Sequence, residues 1–349
     1  MFIHNTLCIS PQHTFHEINP NGINIEDIVA SVENKLYAIE PKYENIPLNT
    51  LRRMGKAVRM GVGAAIKIIN NHPPLDGIII GTANGGMEDC IKFLNQVIDY
   101  DEGKLTPINF VQSTANAIAA QIALSVVNNG YNITHVHRGL AFENALLDAM
   151  MLLNENTEAA YLLGGGDEIS TFNFNIEKLG GSYKKEIISS KDLYNTDSVG
   201  SIAGEGISMF IVNNKQEGAI AKVKALRSLH TSDVDEVTEQ LKYFLIDNLP
   251  SGQQPDLFLT GENGDSRLNH FYSACEAMFN HITIARFKHL CGEYPTSSSF
   301  ALWLSCYLLN AQQFPLHILK TSLCKKPVNT ILIYNNFKGV QHGFILVEK

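Results

Sequence analysis

The stretch Gly130–Ala149, GYNITHVHRGLAFENALLDA, constrains this chain more than any other. A β-rich run of Tyr131, Ile133, Thr134 and Val136 stops at the turn His137-Arg138-Gly139. Leu140, Leu146, Leu147, Met150 and Met151 then follow at helical spacing. A strand that feeds a helix through a tight turn is where many α/β enzymes expose a nucleophile, beside a helix N-terminus that favours negative charge. Here the tip residue is Gly139, which has no side chain. The pattern sets out an active-site elbow without its reacting atom.

The rest of the chain supplies an ordinary globular setting. With 349 residues, it is long enough for one large or two fused domains, at roughly 100–200 residues each. An apolar share of 45% supports a sizeable core. The balance of 27 basic against 35 acidic residues, with no Lys/Arg-rich block, argues against a nucleic-acid partner. No apolar run reaches the roughly 18 residues a membrane span needs, and the N-terminal residues lack a signal-peptide pattern. The six cysteines show no CxxC pair and no metal spacing, so they read as reduced, buried thiols of a cytoplasmic protein. No metal or other cofactor is expected, and His13, His16 and His342 have no ligand spacing.

Strands and helices alternate along the chain. After the β-like opening FIHNTLCIS, the polar stretch to about Pro47 reads as loop with one short helix. Leu51–Asn70 is amphipathic, and Asp76–Gly81 is a buried strand leading into a helix headed by Glu88 and Asp89. Ser113–Val127 is a helix rich in small residues, and Ala159–Leu163 is a strand closed by GGGDE. The strand ISMFIVNN ends the first half near Asn214. The second half repeats the pattern, with strands in AIAKVKALRSL, DLFLTG and ITIARF, helices over Asp233–Asn248, Asn269–Phe279 and Ser297–Asn310, and two closing strands. This alternation predicts a layered α/β fold with a largely parallel sheet, built from similar halves at 1–214 and 215–349.

Several fragments together resemble the β-ketoacyl-ACP synthases, condensing enzymes of the thiolase fold. GTANGGMED is similar to the family's GT-x-x-GG-x-ED turn, LLGGGDE to its Gly-Gly-x-Glu turn, and GEGISMFIV to its GEGA-type strand. FVQSTANAIAAQIALSVVNNGYN resembles the helix before the nucleophile, KHLCGE (Lys288–Glu293) the Lys-Ser-x-x-Gly-His element, and FKGVQH the Gly-rich closing loop. They occur in the family's order over nearly the whole length. The resemblance implies a thiolase-like α/β fold of two similar halves in an α-β-α-β-α arrangement.

It also shows what this chain lacks. The nucleophilic cysteine's position is Gly139, the first catalytic histidine's position is Gly261 or Glu262, and the second histidine's position is Glu293. Lys288 alone of the catalytic set is retained. Condensation needs a thiolate to carry the acyl chain, and histidines to support decarboxylation and the developing oxyanion. Without a thiol, and with a carboxylate where negative charge must develop, no condensing activity is expected. Blander readings apply nearby: His135 and His137 as packing or hydrogen-bonding groups at a subunit interface, Glu143 as a first-turn acid favouring the helix dipole, and Cys291 as a structural thiol.

The precedent for a cysteine-less condensing fold is the chain-length factor, which pairs with an active ketosynthase and shapes the acyl tunnel. The resemblance therefore implies a non-condensing subunit for fatty acid, polyketide or aryl-polyene synthesis. Its partner would be an active ketosynthase or a second copy, with acyl carrier protein a further candidate partner. The expected pairing region is Phe110–Val136, and His137, Phe142 and Phe337 are tunnel-lining candidates. Two alternatives stand beside this reading. One is an acyl hydrolase or transferase using His137, Glu143 or Glu293 with Lys288. The other is an active 3-oxoacyl-ACP synthase, which needs a cysteine near the elbow, where none lies between Cys90 and Cys275.

Overall fold

A computed structural model describes residues 1–16, 27–70, 72–324 and 327–349. Ten strands form one continuous mixed sheet: β1 (Phe2–Ile9), β2 (Gly77–Gly81), β3 (Tyr131–His135), β4 (Ala160–Asp167), β5 (Gly206–Asn213), β6 (Ala221–His230), β7 (Leu257–Thr260), β8 (Thr283–Arg286), β9 (Thr330–Phe337) and β10 (Gln341–Glu348). Their spatial order is β8-β7-β9-β10-β6-β1-β5-β4-β2-β3. The first five strands and the last five follow the same plan. In each set the third strand lies outermost, parallel to the second, which is parallel to the fourth, and antiparallel pairs complete the set. The two sets join through a short antiparallel pairing, Phe2 with Lys222 and Ile3 with Ala221.

Alternation along the strands explains the layers. On β2, Ile79 points into the central core while Ile78 and Ile80 point to the outer one. On β9, Ile331 and Ile333 face the centre while Leu332 and Tyr334 face out. The longer helices include α1 (Lys56–Ile69), α2 (Met87–Asp99), α3 (Ala117–Val126), α4 (Ala141–Glu155), α5 (Val234–Asn248), α6 (Asn269–Glu276) and α7 (Ser298–Ala311). Helices α1 and α3 pack on the outer face of the first strand set, α5 and α6 on that of the second, and α4 and α7 fill the space between. The result is the α-β-α-β-α thiolase-like arrangement. Burial on all sides suits the apolar sequence of α7, of which Ser298–Leu309 is buried throughout.

Local differences from the sequence reading have simple causes. The first long helix begins at Lys56 rather than Leu51, because Leu48–Leu51 makes a separate turn and Gly55 is extended. Before Pro47 the described residues contain no helix, and residues 17–26 of that stretch lie outside the description. The helix with small residues starts at Ala117, after a separate turn at Pro107–Gln112.

This topology fixes where a site can form. The chain leaves β3 and enters central helix α4 through Arg138–Leu140, and it leaves β8 through Lys288–Cys291 before entering central helix α7. The two outer sheet edges differ. Along β8, Lys320 and Thr321 donate their N–H groups to Ile284 O, and Thr321 Oγ1 accepts from Ile284 N–H. The outer edge of β3 carries no such cover from the described residues.

Candidate functional site: a filled elbow beside a lysine–glutamate pair

Arg138, just before the tip, holds φ +48°, a left-handed conformation uncommon for a residue with a side chain. Strain of this kind persists where surrounding structure enforces it. Gly139 itself is buried. A β-carbon there would collide with Phe337 Cβ and lie 2.5 Å from Phe337 Cγ. The Gly139 N–H donates to Gln341 Oε1 at 2.9 Å, and Gln341 Nε2 donates to His137 O at 3.4 Å. Thus the turn lacks a nucleophile, the volume of one is filled, and the backbone donor suited to an oxyanion is engaged.

The residues beside the tip turn elsewhere. His137 is exposed, and its Nδ1 accepts from Asn144 Nδ2 at 2.9 Å. His135 Nε2 lies 2.9 Å from Asp148 Oδ2, and the Tyr131 hydroxyl donates to the same oxygen at 3.1 Å. Phe142 is fully buried against Phe210 and beneath Gly165. Of the three tunnel-lining candidates, only Phe337 borders the nearby cavity; His137 faces solvent, and Phe142 belongs to the core.

The second element is a charge pair. Lys288 is completely buried, and its ammonium donates to Glu293 Oε1 at 3.0 Å and to Ser297 Oγ at 2.5 Å. Asn263 Nδ2 donates to Glu293 Oε2 at 2.8 Å. The Glu293 carboxylate is therefore neutralised and fully engaged, as a mostly buried charge must be. Neither loop residue singled out in the sequence, Gly261 or Glu262, touches the pair. Glu262 turns away to Lys320 at 2.6 Å and Arg286 at 3.4 Å, and Gly261 packs on Asn335. Asn263 is the residue of that loop that reaches Glu293. The sequence reading missed it because loop register leaves no periodic signal.

Glu143 is likewise not a solvated first-turn acid. It is 1% exposed, and neither carboxyl oxygen makes a well-formed hydrogen bond among the described residues. Burial pushes it up to about 7, against smaller opposing effects of the Ser298 hydroxyl and the Lys288 charge. Cys291 is fully buried, and burial pushes its thiol well up, which makes it a poor nucleophile. Asp167 joins two sequence motifs: it accepts from Thr82 Oγ1 and from the N–H groups of Ala83 and Asn84, and from Thr296 Oγ1 at 2.7 Å. The Gly164–Gly166 run is thus a strand closed by a structural carboxylate.

A cavity of about 440 Å³ opens beside the pair, walled by Glu168, Tyr183, Asn263, Arg267, Glu293 and Phe337 among others. Gly139 and Lys288 do not border it. Phe337 therefore stands between the cavity and the elbow. No group of three or more His, Cys, Asp or Glu side chains suited to a metal occurs among the described residues.

The sequence of residues 30–173 matches the family model for the β-ketoacyl synthase N-terminal domain. Over those residues the chain resembles the β-ketoacyl synthases. Its fold is that of solved ketosynthase assemblies at low sequence identity. The ishigamide ketosynthase/chain length factor is 14% identical with a TM-score of 0.78, covering 100% of this chain and 98% of that one. A type II polyketide synthase acyl-carrier protein in complex with its ketosynthase bound to the hexaketide gives 14% and 0.76, covering 99% and 98%. The ketosynthase ApeO in complex with its chain length factor ApeC, from Xenorhabdus doucetiae, gives 11% and 0.74, covering 99% and 97%. No curated protein matches the ketosynthase-like chain in sequence. Among its described residues, no helix is long and apolar enough to cross a membrane.

Proposed function

We propose that this ketosynthase-like chain is a non-condensing subunit that pairs with an active ketosynthase and helps to hold or measure a growing acyl, polyketide or polyene chain. The observation that carries the reading is the filled elbow: Phe337 takes the volume of a side chain at 139, and Gln341 takes the Gly139 N–H. The pair Lys288–Glu293 adds a carboxylate where decarboxylation would build negative charge.

The open edge of β3 supports pairing. Val136, directly after β3, is 55% exposed, and the preceding helix carries Leu124, 74% exposed, and is followed by Val127, 81% exposed. Exposed apolar surface of this kind marks contact sites, and a bare strand edge is a template for another strand. The proposal includes a division between two related halves at residues 214 and 215, and acyl carrier protein as a further candidate partner.

The test is co-expression with candidate ketosynthases, size exclusion of the mixture, and malonyl-ACP condensation assays with and without this chain. The expected result is an inert protein alone and a stable complex that changes product length. Condensation or acyl hydrolysis by the purified chain alone would sink the reading.

A further inference from the structure

Both cations at the wall of the cavity already have a carboxylate partner. Arg267 donates to Asp265 from both Nε and Nη2, the shortest at 2.6 Å, and Lys338 donates to Glu177 at 2.6 and 2.8 Å. Behind the wall, Lys288 belongs to Glu293. Two wall acids make no salt bridge with a described residue. Asp167 is one, and its hydrogen-bond donors already satisfy it. Glu168 is the other. It is nine-tenths buried, and its Oε2 accepts a hydrogen bond from Ala57 N–H at 3.0 Å. No other hydrogen bond reaches this carboxyl from the described residues, and the side chain borders the cavity. Burial together with the neighbouring carboxylates Glu205, Asp89 and Glu88 pushes this group up to about 7. Such an environment favours a positive or hydrogen-donating group next to the carboxyl.

Aromatic and aliphatic side chains supply the apolar part of the wall. Phe174 and Tyr183 stack with ring centroids 5.0 Å apart, and Tyr294, Ile169 and Phe337 add apolar surface. An anionic ligand, such as a malonyl or phosphate group, would meet Glu168, Glu177, Asp265 and Glu293 with no unpaired wall cation to receive it.

We infer that this cavity is a ligand site of the chain's own, selective for a molecule with a cationic amine head, placed at Glu168, and an apolar body along Phe174, Tyr183 and Phe337. The inference goes beyond the pairing role and does not depend on it. Burying an ammonium requires a partner charge, which Glu168 supplies, while the aromatic wall accepts the carbon chain.

The test uses the purified full chain and calorimetric titration with n-octylamine, n-octanoate and methylamine below micellar concentrations. Octylamine is expected to bind, octanoate to bind at least about tenfold more weakly, and methylamine to give no detectable binding, because charge without the apolar body leaves the wall uncovered. Glu168→Gln, verified as folded by its melting temperature, is expected to lose roughly tenfold in octylamine affinity. Equal or tighter octanoate binding, absence of octylamine binding, methylamine binding as tight as octylamine, or an unchanged Glu168→Gln affinity would each overturn the inference. The wild-type amine-to-carboxylate ratio needs no variant, so a Glu168→Gln protein that fails to fold leaves the test intact. Failure of the pairing experiment leaves it intact as well, because no second protein is present.

Discussion

The Phe337 side chain occupies the space that a side chain on Gly139 would need. The turn therefore lacks both a side chain at its tip and the space for one. Restoring the cysteine alone, Gly139→Cys, is expected to give no condensation and to destabilise the fold by roughly 1–3 kcal/mol through overpacking. Combining it with Phe337→Ala relieves the clash. Thermal melting and iodoacetamide labelling check this, and a Gly139→Cys protein as stable as wild type with a reactive thiol would contradict it.

The Lys288–Glu293 pair is expected to behave as a structural unit. Glu293→Ala removes the carboxylate from a completely buried ammonium, a loss of roughly 3–5 kcal/mol for a pair of this kind. The double replacement Lys288→Met with Glu293→Leu should cost less than the sum of the two single changes. Urea denaturation of Lys288→Met, Glu293→Leu and the double variant measures the coupling, and strict additivity would mean the pair does not act together.

Glu143 should make stability depend on pH in an unusual direction. Its carboxyl is raised from 4.5 to about 7 in the folded chain, so the folded state binds more protons than the unfolded state between those values. Stability from this group is present below the unfolded value, falls as pH rises through that window, and levels off above it. At about 1.4 kcal/mol for each pH unit the window spans, the loss is on the order of 3 kcal/mol. Glu143→Gln should therefore gain melting temperature relative to wild type at pH 8, with a smaller gain at pH 5. A gap that does not change with pH would contradict this origin.

The apolar patch beside β3 predicts a separation of folding from assembly. Leu124→Glu and Val127→Glu change exposed side chains and should shift stability by no more than about 0.5 kcal/mol. Burying either carboxylate in an interface should weaken the ketosynthase complex at least about tenfold. Size exclusion alongside melting distinguishes the outcomes, and complex formation at wild-type strength would place the interface elsewhere.

What the sequence made legible was local and periodic. The strand–turn–helix around Gly139, the buried repeat of α7 and the alternation of strands with helices all carry their own spacing signal. What it hid were contacts made across the chain. Gln341 reaches Gly139 over 202 residues, and Asn263 meets Glu293 from a loop with no period to fix its register. The exposure of His137 follows from how the chain exits β3, and the sealing of Glu143 follows from packing against Gly343 and Ser298. Neither can be read from a residue type and its position in a helix.

The contrast between the two margins of the sheet has a consequence for assembly size. Lys320 and Thr321 already bond the rim at β8, whereas no described residue covers the outer edge of β3. A chain with one sticky end and one finished end can recruit a single neighbour edge to edge; the joined sheet then has a finished rim at this chain's far side and offers it no further place to grow. Such a chain terminates a ribbon rather than propagating one, which favours a closed pair over a fibre.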